Sequence, residues 1–208
     1  MVVQGPPGLP GGHVPRDSDP STEGPQANAR LTGALAAVLL VLLAAEGVTV
    51  VSIHRLLAPH VFIGMMLIPP VVAKIGSTFY RFVRFYRGSE PYRRKGPPPV
   101  LMRLLGPFVV VLTVAVLGTG VVVLLVARSA RHEWLFLHKA SFVLWFGAMT
   151  LHVLGHLVDT ARLAPGDWYW RTRRDVVGAG IRQWTVVAAI VIGVLLGLLL
   201  VGRSGAWP

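Results

Sequence analysis

The chain has 208 residues, 53% apolar and 14% charged, with a mean hydropathy of +0.62 and no cysteine. A soluble domain carries about 25% charged residues, so this balance excludes an ordinary water-soluble enzyme. The missing cysteine excludes disulfides, iron–sulfur ligation and thiolate zinc sites within the chain.

Residues 1–30 are rich in Gly, Pro and polar side chains and lack apolar periodicity, so a disordered cytoplasmic tail is expected there, with His13 solvated in it. No secretory signal is expected: the first apolar run begins at Leu31 and is too long for one. Residues 31–208 are expected to form a single transmembrane domain. A helix crosses the hydrocarbon core with about 20 apolar residues, and five stretches qualify: Leu31–Ile53, Ala58–Tyr80, Leu101–Val126, Trp134–Leu157 and Trp184–Val201. The expected fold is all-α, a polytopic membrane bundle of about five helices with a four-helix core able to hold haem.

The net charge of +11 does not point to nucleic acid. The positive charge gathers in two loops, one with Arg81, Arg84, Arg87, Arg93, Arg94 and Lys95, the other with Arg162, Arg171, Arg173, Arg174 and Arg182. The positive-inside rule makes both cytoplasmic, with the N-terminus inside and the connections near Arg55 and Arg128–Arg131 outside. A cell membrane, the bacterial plasma membrane, is the expected location. Trp168–Tyr169–Trp170 reads as an interfacial anchor. The chain shows no Walker loop, dinucleotide fingerprint or Ser-His-Asp signature, and Gly118-Thr119-Gly120, inside an apolar span, reads as helix packing.

His138 and His152 carry the chemistry. Fourteen positions apart on the fourth span, they face the same way within about 40° and sit roughly 21 Å apart along the axis. Ionisable groups at two depths of a bilayer are costly and suggest function. His60, near the outer end of the second span, matches His138 in depth, and two imidazoles on neighbouring helices can clamp one iron. Gly64, one turn below His60, leaves room for a flat macrocycle, and His54 is a reserve ligand at the same level. Fourteen residues below His60 stands Lys74 rather than a histidine, and its plainer role is to snorkel to the inner headgroups. His152 and His156 therefore mark a second level for haem, quinone or no ligand. Trp145 lies midway between His138 and His152, where a cofactor gap and ordinary core packing are both open. Pro69–Pro70 should kink the second span, and Glu46 in the first is placed either to carry protons toward an outer quinone or haem or to hydrogen-bond a neighbouring helix.

His138 and His152 on one span, with His60 on another, resemble the membrane cytochrome b superfamily, which includes cytochrome b561-like and ferric-reductase-like haem proteins. The resemblance covers about residues 31–160. It implies haem b held by His60 and His138, an inner ligand at His152 facing Lys74, and electron transfer between membrane quinol and a redox partner. It further implies a role as the membrane subunit of an oxidoreductase rather than a stand-alone enzyme, with an extracytoplasmic molybdenum-cofactor oxidoreductase as a candidate partner. The competing expectation is a non-redox membrane scaffold, sensor or transporter component whose histidines titrate near neutral pH.

Overall fold

The computed structural model describes residues 20–94, 100–163 and 179–206, with side chains over 24–93, 104–154 and 180–204. Among the described residues six α-helices follow one another: α1 Pro20–Val51, α2 Ile53–Tyr86, the short α3 Glu90–Arg94, α4 Val100–Leu125, α5 Arg128–Leu163 and α6 Ala179–Val201, closed by a 3-10 turn at Gly202–Ala206. No strand occurs among the described residues. Five of the helices are long and apolar enough to cross a membrane, over Gly24–Val51, Ile53–Tyr86, Leu104–Leu125, Arg128–Leu154 and Gly180–Ser204. Large apolar side chains stay exposed around the bundle, among them Val41, Val72, Val111, Val114, Leu144, Phe146, Leu151 and Leu199. Helices apolar on every side are stable where lipid covers the outer faces, so the chain is a multi-pass membrane protein.

The first helix starts earlier than the apolar run that announces it. Its opening turns, from Pro20, take in the end of the expected tail, and two contacts explain why. Asn28 donates from Nδ2 to the Ser77 carbonyl at 3.1 Å, and Gly24 lies beside the Tyr92 ring. Tertiary partners thus order a stretch whose composition alone reads as loop. His13 and the Trp168–Tyr169–Trp170 anchor lie outside the described residues.

Only Ser52 separates α1 from α2. The chain reverses there, and the one non-helical residue inside α2 is Leu56 (φ −115°, ψ 25°). Pro59 accounts for it, because proline removes one backbone donor and its ring crowds the preceding turn. The bend expected at Pro69–Pro70 appears at Leu56 instead; helical angles continue through both prolines, and Pro70 is fully buried.

Two seams hold the bundle. In the first, α2 packs along both α1 and α6, with Ala34, Leu35 and Val186 buried against Ala73 and Ile190. Glycines let α6 come close: a Cβ at Gly193 would fall 2.5 Å from the Met66 carbonyl oxygen, and one at Gly197 2.7 Å from Cδ2 of Phe62. With the buried Ala189 this makes a small-residue stripe at four-residue spacing, the usual means of close approach where lipid gives no hydrophobic drive. In the second seam α4 packs along α5, with Val109, Leu112, Val116, Trp145 and Ala148 at its centre. Contacts between α1 and α5 join the two seams.

Candidate functional site

The site forms at the end of the bundle where α1 passes into α2 and α4 into α5. The tight reversal at Ser52 sets the last turns of α1 against the first turns of α2, and so places Glu46 and Thr49 beside His60. Nδ1 of His60 lies 3.0 Å from Oε1 of Glu46 and 3.1 Å from Oγ1 of Thr49. The Thr49 hydroxyl donates to the Glu46 carbonyl at 2.6 Å, which leaves its oxygen to accept. Both neighbours of Nδ1 are thus acceptors, and Nδ1 carries the hydrogen.

His138 is held in the same way from the other seam. Its Nδ1 lies 3.0 Å from the Val116 carbonyl and 3.2 Å from Oγ1 of Thr119, both on α4. A carbonyl only accepts, so this Nδ1 is also a donor. Gly120 makes the space: a Cβ there would come within 3.1 Å of His138 Cε1. The Gly118-Thr119-Gly120 motif is therefore a socket for an imidazole more than a contact between helix backbones, since a Cβ at Gly118 would meet nothing. Gly64 faces Glu46, with Oε1 3.4 Å from where a Cβ would lie.

The two imidazoles meet with ring centres 6.3 Å apart and planes inclined at 68°. A ring nitrogen sits about 1.1 Å from its ring centre, and a metal about 2.0–2.1 Å beyond it, so one ion held by both rings from opposite sides would put the centres about 6.3 Å apart. Ligating imidazoles characteristically donate their second N–H to a carboxylate or a backbone carbonyl, and here one ring has each kind of partner. With Nδ1 carrying the hydrogen, Nε2 is the ring nitrogen left to offer a lone pair to a metal. Imidazoles of this kind, with Nδ1 held by an acceptor, are donors that suit iron.

The other expected residues stand apart from this pair. His54 lies in the turn after Ser52 with its side chain exposed. Lys74 sends its ammonium sideways to α1, where Nζ donates to the Thr32 carbonyl at 3.3 Å. His152 is half-buried in the inner half of α5, while the side chain of His156 lies outside the described residues. Trp145 belongs to the α4–α5 core, and its Nε1 donates to Oγ1 of Thr113 at 2.9 Å. Among the described residues no group of three or more His, Asp or Glu side chains is placed to share a metal ion. Sequence reasoning found both histidines and Glu46 but missed Thr49, Thr119 and the Val116 carbonyl; hydroxyls and carbonyls inside apolar spans carry no signal until the helices are paired. No family model, curated protein or solved structure matches the chain.

Proposed function

We propose that the chain is a membrane b-type cytochrome, in which His60 and His138 hold one haem b and electrons pass between membrane quinol and a redox partner. The observation that carries the reading is the meeting of two imidazoles from different seams at 6.3 Å, each with Nδ1 committed to an acceptor. Haem supplies the one-electron chemistry when bound. The chain's own residues do the rest. Glu46 and Thr49 fix the His60 tautomer, Val116 and Thr119 fix that of His138, and Gly120 leaves room for the ring. The buried cluster around Val116 and Trp145 walls off one side of the site from water. With no soluble reductase motif in the sequence, the role is that of a membrane subunit; its bacterial plasma-membrane location, cytoplasmic N-terminus and extracytoplasmic redox partner, a molybdenum-cofactor oxidoreductase by resemblance, belong to the same proposal. No histidine of the first, second, third or fifth span shares the depth of His152, which favours one haem over two.

A reduced-minus-oxidised difference spectrum of protein purified after haem-replete expression tests this, with pyridine haemochrome counting the haem. One haem per chain is expected. A colourless protein whose stability changes across pH 5–8 would instead favour titrating histidines in a sensor or scaffold, and metal analysis would separate iron from zinc.

A further inference from the structure

At the opposite end of the bundle a second polar cluster sits within the membrane span, independent of the histidine site. Lys74 and Ser77 of α2 face Asn28 and Thr32 of α1. Oγ1 of Thr32 donates to the Asn28 carbonyl at 2.8 Å and lies 2.9 Å from Oγ of Ser77, which in turn donates to the Lys74 carbonyl at 3.0 Å. The hydroxyls and the amide thus each find a backbone carbonyl to donate to. The lysine is different: its one described hydrogen bond is the long one to the Thr32 carbonyl, 3.3 Å away, and an ammonium has three donors. No carboxylate lies within ion-pair distance of it among the described residues. The side chain is largely buried but keeps part of its surface exposed.

More positive charge converges on this place. Arg81, seven residues on, returns to within about 20° of the Lys74 face. Antiparallel pairing of α6 with α2, fixed by Gly193 on Met66 and Gly197 on Phe62, brings the buried Arg182 to the level of Ser77. Exposed Phe79, Phe82 and Tyr86 follow on α2, as aromatic side chains do at a headgroup boundary. Basic pockets between membrane helices at such a boundary suit acidic lipid headgroups.

We propose that the α1–α2–α6 seam at this end binds the phosphate of an acidic phospholipid, with the Lys74 ammonium as its deepest donor and Arg81 beside it. The phosphate would face the Lys74 ammonium, which has no carboxylate within ion-pair distance among the described residues, and the acyl chains would lie along the apolar outer faces of α1 and α2.

The test uses the full chain in nanodiscs of phosphatidylcholine alone or with phosphatidylglycerol. Unfolding is followed by tryptophan fluorescence, and retained lipid is counted by native mass spectrometry. The wild type is expected to melt about 2–4 °C higher with phosphatidylglycerol and to retain at least one molecule of it. Lys74→Gln should lose the shift and the retained lipid. Lys74→Arg should keep both, which guards against a folding defect in the glutamine variant, and Arg87→Gln, removing an exposed charge at the same end, should keep most of the shift. Equal melting of the wild type in both lipids would overturn the proposal. So would equal losses in Lys74→Gln and Arg87→Gln, which would mean general surface charge, or full replacement of the effect by inorganic phosphate, which would mean a free-anion site.

Discussion

At the scale of single residues, the two histidines depend on neighbours that supply no ligand themselves. His60→Ala and His138→Ala are each expected to abolish haem retention, read as loss of the Soret band in protein that still inserts and folds, while His13→Ala leaves it unchanged. Glu46→Gln keeps the shape of the side chain but weakens the acceptor facing His60 Nδ1. Changes in groups that orient a metal ligand commonly cost 10–100-fold in affinity, so haem transfer from this variant to an apo-globin should be faster by about that factor. Gly120→Ala places a methyl 3.1 Å from His138 Cε1 and should also speed haem transfer, whereas Gly118→Ala, which meets nothing, should not. A Gly118 effect as large as that of Gly120 would mean that the two glycines act through the helix backbone and not through the imidazole.

At the scale of elements, the seam between α2 and α6 turns on two glycines. A Cβ at Gly193 would meet backbone, the Met66 carbonyl, which cannot swing away; at Gly197 it would meet the Phe62 ring, which can turn. Gly193→Ala is therefore expected to cost more than Gly197→Ala, about 1–3 kcal/mol as for other overpacked contacts, measured by unfolding in detergent. The spans themselves were legible from the sequence, because apolar length is the strongest signal a membrane helix gives. The start of α1 was not, since it depends on Asn28 reaching Ser77, forty-nine positions away. The bend in α2 was misplaced for a related reason. Three prolines stand in that helix, and the break falls near Pro59, where the chain is already reversing after Ser52, while Pro70 is locked in the core.

At the scale of the whole molecule, the bundle is polarised. One end gathers Glu46, His60 and His138; the other gathers Lys74, Arg81 and Arg84 of α2, and Arg182. Matching the depths of His60 and His138 from span ends alone anticipated the first end, because helices of similar length crossing one slab put equal positions at equal heights. The same reasoning left Lys74 open between snorkelling to headgroups and facing His152, since depth says nothing about which neighbour a side chain turns to; the α1–α2 pairing shows it reaching Thr32. The polarity also fixes an expected orientation, with the arginine-rich end in the cytoplasm. The absence of cysteine makes this directly measurable with single-cysteine variants. Ser52→Cys, between α1 and α2, and Ser129→Cys, at the exposed start of α5, should react with a membrane-impermeant maleimide on intact cells. Ser89→Cys, beside the positive-φ turn at Gly88, should react only after the membrane is opened. The reverse pattern would put the histidine end in the cytoplasm, and the electron partner of the proposed haem would then have to be sought inside the cell.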